Sequence, residues 1–218
     1  MPVIVFANPK GGAGKSTSAL ITGTTIAANN ASVLIMDCDP NRPIQHWRSG
    51  DSKNPVEVTG DANESNITSL LDQHRTQKQF VIVDLEGIAS RLTSRALSRA
   101  NLVVIPIQAS PNDAREAVKA IRLIQEEEQA FQKKIPYVIA FTRTNPAISR
   151  KLEKTIIEDL NKGSIASMDI HLNEREAFKA MFYHQLDLYE MKENEVNGLP
   201  NARMNAELFV KEMITIIQ

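Results

Sequence analysis

The chain has 218 residues, with 25 Lys and Arg against 26 Asp and Glu, a formal net charge of −1 and 42% hydrophobic residues. A chain of that length buries roughly 70–75% of the surface its unfolded form exposes, so it holds a core without disulfides or a structural metal. The single cysteine, Cys38, excludes a disulfide framework and any Cys-cluster zinc site and fits a reducing cytosol, and near-zero net charge argues against an all-over electrostatic footprint for nucleic acid while leaving room for a local basic patch.

In chain order, continuous apolar runs predict strands at Val3–Ala7, Ser32–Met36, Phe80–Val83, Leu102–Ile105 and Tyr137–Phe141, with a weaker one near Ser164–Ile170. Such runs are the pattern of parallel strands covered on both faces. Helical periodicity fills the gaps at Lys15–Asn29, Glu64–Gln77, Ala89–Arg99, Asp113–Gln132, Ser149–Asn161, Glu174–Gln185 and Ala202–Ile217. The alternation predicts an α/β fold with a mostly parallel central sheet and helices on both faces, as a single domain over residues 1–218. Arg48–Asn63 reads as a long loop and Glu190–Asn201 as a second polar interruption. No apolar stretch approaches the ~18 residues of a membrane span, and Met1–Ala7 passes directly into a polar Gly-rich loop, which is unlike a signal peptide.

The strongest motif follows the first strand and opens the first helix: Asn8-Pro9-Lys10-Gly11-Gly12-Ala13-Gly14-Lys15-Ser16-Thr17. Backbone N–H groups of Gly11, Gly12, Ala13 and Gly14 can curl around a phosphate at a helix N-terminus. Lys15 can reach the β- and γ-phosphates, and the Ser16 hydroxyl can bind Mg²⁺. Pro9 stands where the general G-x-x-x-x-G-K-[ST] pattern has glycine, and the chain instead fits the deviant form K-G-G-x-G-K-[ST]. The bland alternative is a Gly-rich turn that only starts a helix.

Asp37-Cys38-Asp39-Pro40 ends the second strand, and residues two apart on a strand face one way, so both carboxylates can point past the strand's C-terminal edge, where α/β sheets bind ligands. They can equally serve as turn or capping residues. Cys38 between them reads as a small core residue. Phe80-Val81-Ile82-Val83-Asp84 has the Walker-B form, with Asp84 placed to hold Mg²⁺ through a water. Asp84-Leu85-Glu86-Gly87 completes D-x-x-G, in which the Gly87 N–H can face a γ-phosphate, while Glu86 reads either as a solvated loop residue or as a second water-orienting carboxylate. Charges along Asp113–Gln132 read as a solvated helix face.

These motifs resemble the ParA/MinD family of deviant Walker-A ATPases, above all the short ParA-type plasmid-partition proteins and their VirC-type relatives in DNA transfer. The resemblance implies that Lys10 is the signature lysine that crosses an ATP-sandwich homodimer to the partner's phosphates, and that Thr17 meets the α-phosphate. It assigns Asp39 to positioning the attacking water and Asp37 to the Mg²⁺ shell, and so implies slow, partner-stimulated ATP hydrolysis with Lys10, Lys15 and Asp39 as the catalytic set. Phe141-Thr142-Arg143-Thr144-Asn145-Pro146 resembles the family's adenine loop, with Arg143 and Thr142 as base contacts, though it also reads as a plain helix entry. Ile105–Asp113 and Asn173–Phe178 likewise resemble family segments.

ATP and Mg²⁺ are thus the implied cofactors. Nonspecific DNA, a small centromere-binding or cargo adaptor protein and a second copy of the chain are the implied partners, and the implied location is cytoplasmic and nucleoid-associated. Arg150, Lys151, Lys154, Arg175, Lys179 and Arg203 are the candidate DNA contacts, which pairing of two subunits would double. No helix-turn-helix precedes the phosphate loop, so no operator-specific domain is expected there. The C-terminal helix, mixed in charge, does not suggest a lipid anchor. Two other classes remain open, an accessory ATPase of conjugative DNA transfer and a metabolic P-loop ligase or kinase, the latter needing a small-molecule acceptor pocket that is not legible here.

Overall fold

A computed structural model of the chain describes residues 1–87, 90–145 and 151–218. Its strands are β1 (Val3–Phe6), β2 (Val33–Cys38), β3 (Glu57–Thr59), β4 (Phe80–Leu85), β5 (Leu102–Ile107), β6 (Tyr137–Thr144) and β7 (Leu172–Asn173). They form one seven-stranded sheet in the order β3-β2-β4-β1-β5-β6-β7, parallel at every pairing. Between and after them lie α1 (Lys15–Ala28), α2 (Pro43–Arg48), α3 (Ile67–Gln77), α4 (Arg91–Leu97), α5 (Pro111–Phe131), α6 (Lys151–Lys162), α7 (Glu176–His184) and α8 (Leu199–Ile217).

The continuous apolar runs are explained by two cores, one on each face of the sheet. Because successive strand residues alternate faces, Ile4, Phe6, Ile35, Ile82, Val104 and Ala140 pack with buried residues of α1, α2, α7 and α8. Val3, Val5, Met36, Val83, Ile105 and Phe141 pack on the other face with residues of α3, α4, α5 and α6. Every residue of β1 and β5 is therefore buried, although neither strand is uniformly one-sided.

Three elements differ from the sequence expectation. The Arg48–Asn63 stretch contains the edge strand β3, and α2 precedes it. Both are too short to carry a periodic signal, and both depend on distant partners: Leu34 and Met36 in register for β3, and Asp37 for the start of α2. The weak strand near Ser164–Ile170 contributes an isolated bridge between Ile139 and Ser167, and the true edge strand is β7. The N–H groups of Asp169 and Ile170 donate instead to the Glu212 carboxylate of α8, each at 2.7 Å, which satisfies them without a strand neighbour. The expected helix starts at Ala89 and Ser149 lie outside the described residues.

Register is what builds the site. Asp37 on β2 pairs with Asp84 on β4, and Asp84 pairs with Phe6 on β1, so the carboxylates end adjacent strands beside the loop that leaves β1. In open α/β sheets, that carboxyl edge is where ligands bind.

A phosphate loop framed by two buried carboxylates

The loop from Asn8 to Gly14 turns back on the sheet edge with left-handed backbone at Gly12 (φ 75°) and Gly14 (φ 94°), conformations that exclude most side chains. At Gly14 a Cβ would also come within 3.3 Å of the Thr142 hydroxyl. Gly14 stands at the N-cap of α1 without a side-chain cap, and the first turn holds no acidic residue. The helix therefore starts with uncapped N–H groups and an unneutralised positive end, the requirement for phosphate binding.

Asn8, fully buried, brackets the loop: its Nδ2 donates to the Pro106 carbonyl at 2.6 Å and its Oδ1 accepts from the Lys10 N–H at 2.8 Å. The Thr142 hydroxyl lies 2.9 Å from the Ala13 carbonyl and 3.1 Å from that of Ile107, tying the loop to β5 and β6. The Gln108 amide reaches the Gly12 carbonyl at 3.2 Å. Thr142 is thus positioned as a brace under the loop as well as on the wall of the neighbouring pocket.

Lys15 is buried and its ammonium donates to the Lys10 carbonyl at 3.2 Å. Burial holds its pKa below the ordinary lysine value, and the charges of Asp84, Asp39 and Glu86 oppose that shift. Glu86, though exposed, lies near enough for its charge to act on Lys15 and lines a groove with Pro9 and Gly11 of the loop.

Asp84 is fully buried, and neither of its oxygens has a hydrogen-bond partner. Burial pushes its carboxyl up to about 7; the nearby Ser16 hydroxyl, short of a formed bond, and Lys15 pull it down, while Asp37 and Asp39 add to the rise. A buried orphan carboxylate is costly unless a cation or donor satisfies it. Among the described residues no group of three His, Cys, Asp or Glu side chains could hold a metal alone. Asp84 beside the Ser16 hydroxyl is instead a partial donor set of the kind that Mg²⁺ completes with phosphate oxygens and water, and the residues present fit that ion.

Asp37 differs from Asp84 in being occupied. Its Oδ2 accepts from the Ile44 and Gln45 N–H groups at 2.9 Å, capping the start of α2, and its Oδ1 accepts from the Asp39 N–H at 3.3 Å. Burial still raises its pKa against those three bonds. Asp39 is partly exposed at the strand end and accepts from the Asn41 N–H at 2.8 Å. Cys38 has its thiol pushed up to about 12 by burial and by the adjacent Asp84 and Asp37 charges, which makes it an inert filler.

Gly87 shares a groove with Pro9, Gly11, Cys38 and Glu86, on the loop's outer side. On the other side, a pocket of about 270 Å³ is lined by Gly14, Thr17, Thr142, Arg143, Asn173 and Arg175 among others. Arg143 holds a left-handed φ of 53° where the β6–β7 register shifts between Thr142 and Thr144. A non-glycine residue in that region is strained, as residues at binding sites often are.

The basic residues are scattered. Arg175 lines this pocket and its Nε is buried without a partner. Arg203 donates from Nε to the Leu188 carbonyl at 2.8 Å and from Nη2 to that of Met191 at 3.2 Å, pinning the segment before α8. Lys151 and Lys154 are exposed, Lys179 is exposed and paired with Glu174 at 2.9 Å, and Arg150 lies outside the described residues. No helix among the described residues is long and apolar enough to cross a membrane.

Sequence reasoning missed two residues of this site. Asn8 gives no signal beyond its place at a strand end. Asp113, which receives the Lys10 ammonium at 2.8 Å, sits three residues after the N-cap Ser110, whose Oγ accepts the Asp113 N–H at 3.1 Å. The sequence marks Asp113 as part of a helix entry, but its pairing with Lys10 leaves no local signal.

Comparison with known proteins agrees with this geometry. The chain is 40% identical over 210 residues to Protein ParA of Rhizobium radiobacter, covering 96% of this chain and 94% of that protein. It is 25% identical over 228 residues to Protein virC1 of Rhizobium rhizogenes, covering 99% and 96%. Among solved structures, an ATP complex of McdA from Cyanothece superposes with a TM-score of 0.73 at 18% identity, covering 100% of this chain and 98% of that one. The cell-division protein MinD of Aquifex aeolicus gives 0.74 at 15% identity, covering 97% of each. A plasmid partition protein of Borrelia burgdorferi bound to AMPPNP gives 0.70 at 17%, covering 98% of each. The VirC1 protein family matches residues 1–213, and with a ParA relative at 40% identity and the ParA/MinD fold, the chain belongs to the VirC1 family of ParA/MinD-type P-loop proteins.

Proposed function

We propose that the chain is a Mg²⁺-dependent ATPase that works, as one domain over residues 1–218, as an ATP-driven dimerising switch positioning plasmid DNA or another large cargo through nonspecific DNA binding. The observation that carries this reading is the pairing of an uncapped phosphate-loop helix holding buried Lys15 with a buried, unpartnered Asp84 across it. One group answers phosphate and the other answers its cation.

In this reading the N–H groups of Gly11, Gly12, Ala13 and Gly14 and the Lys15 ammonium bind the phosphates, and the Gly87 N–H faces the γ-phosphate. Thr17 lies beside the α-phosphate. Ser16 and Asp84 hold Mg²⁺, with Asp37 behind them fixing the switch segment through its bonds to α2. The ion would neutralise charge that develops on the β- and γ-oxygens. Asp39 orients a water for in-line attack, and Lys10 serves the phosphates of a second subunit. The base occupies the pocket between Thr142 and Arg143.

The test measures ATP turnover, oligomeric state and DNA binding at two salt concentrations, without nucleotide, with ADP and with ATP. The reading expects slow turnover, an ATP-dependent dimer, and sequence-independent, salt-sensitive DNA binding with ATP alone, since affinity depends steeply on the number of phosphates neutralised. Equal DNA affinity in every nucleotide state refutes the switch. A second reading, an accessory ATPase of conjugative DNA transfer, draws its support from the VirC1 family match, and strong preference for one DNA sequence would favour it. A small basic centromere-binding or cargo adaptor protein is the partner expected of the first reading, acting at the nucleoid in the cytoplasm.

A further inference from the structure

The Lys10 side chain does not point into open solvent. Its ammonium donates to Asp113 Oδ2 at 2.8 Å, with the lysine side chain 33% exposed and the aspartate 1% exposed. The lysine's backbone is fixed by the buried Asn8 bracket, so the contact is set from both ends. Ser110 also donates its hydroxyl to Oδ2, and Oδ1 is buried without a partner. Burial alone would raise the Asp113 pKa, yet Lys10, followed by Ser110 and the Gln108 backbone N–H, holds it below the ordinary carboxylate value. Lys10 is therefore the counter-charge of a buried carboxylate, and taking it away leaves Asp113 charged in a site with too few donors.

Exposed ion pairs contribute little, but removing one partner of a pair whose other member is buried leaves an uncompensated charge. We infer that Asp113 is a positioning residue that holds Lys10 on its own subunit in the unpaired chain, so that pairing with a second copy must first break this contact. The inference rests on the proposed role of Lys10 across the dimer. It adds a resting station for that lysine and a penalty on premature assembly.

The test is sedimentation equilibrium of the full chain with Mg²⁺ and a non-hydrolysable ATP analogue, and with ADP, for wild type, Asp113→Asn, Lys10→Ala and the double variant. Asp113→Asn is expected to dimerise about tenfold more tightly than wild type with the analogue, the scale of one charge-assisted hydrogen bond, and to remain monomeric with ADP. Lys10→Ala and the double variant are both expected to stay monomeric with the analogue, because the tighter pairing of Asp113→Asn acts through a freed Lys10. Asp113→Ser, which keeps a polar group in the first turn of α5, repeats the measurement should the asparagine variant not fold. If wild type dimerises with the analogue and Asp113→Asn and Asp113→Ser do so no better, or do so equally in the Lys10→Ala background, the holding role is overturned and the switch stands. If no chain dimerises in any nucleotide, the switch itself is refuted and the holding role with it.

Discussion

Replacing Asp84 with asparagine should remove a pH dependence of stability that follows from the burial of its unpartnered carboxyl. The Asp84 carboxyl is raised from 3.8 to about 7 in the fold, with burial the principal cause. A carboxyl raised on folding binds more protons in the native state, so stability is full below pH 4, falls as pH rises towards 7 and is level above it. At about 1.4 kcal/mol per pH unit, the loss is roughly 4 kcal/mol. For a chain of this size that corresponds to a fall in Tm of roughly 10 °C. Asp37, also raised by burial, adds a slope of the same sign, which persists in the variant. The assay is thermal or urea unfolding of wild type and Asp84→Asn between pH 4.5 and 8, without nucleotide or Mg²⁺. Wild type should lose stability across that range and the variant should lose much less, whatever its absolute stability. Mg²⁺ with an ATP analogue should restore wild type at pH 8 and have no such effect on the variant. Parallel pH profiles for the two chains would refute the reading of Asp84 as an unsatisfied carboxylate waiting for a cation.

Lys15→Ala should weaken ATP binding by about a hundredfold in calorimetry, roughly 3 kcal/mol for a lost charge-assisted contact, and unchanged affinity in a folded variant would remove the phosphate-loop assignment. Asp39→Ala should bind Mg-ATP normally but lose about a hundredfold in turnover and accumulate as a dimer; normal turnover would end its role in orienting water. Thr142→Val keeps the side-chain volume but removes the hydroxyl beneath the Ala13 and Ile107 carbonyls. It should lower unfolding stability by about 1–3 kcal/mol and weaken nucleotide binding, measured by denaturant titration and fluorescence, whereas a pure base-contact role would leave the stability of the nucleotide-free chain untouched.

The features legible in the amino-acid sequence are those whose physics is local. The run Lys10–Thr17 has the glycines that permit Gly12 and Gly14 their left-handed backbone, and the lysine and serine at the helix start. Asp37 and Asp84 stand one residue before the ends of β2 and β4, where the apolar runs give way to the loops of the sheet's carboxyl edge. Relations between segments far apart in the chain emerge only on folding. The β2–β4 register sets Asp37 beside Asp84, yet one carboxylate is occupied by the N–H groups of α2 and the other is left without a donor, a difference invisible in two similar aspartates. The short α2 and β3 escaped the sequence because each draws its hydrogen bonds from β2. Arg175 and Arg203, indistinguishable as basic residues in the sequence, separate into a pocket wall and a tether for the segment before α8. Lys10, read from its motif as a residue that reaches outward, is turned inward by an aspartate more than a hundred positions away. Charge and periodicity are carried by single residues and their near neighbours, whereas desolvation, and with it the demand for a partner, exists only once the distant segments have packed together.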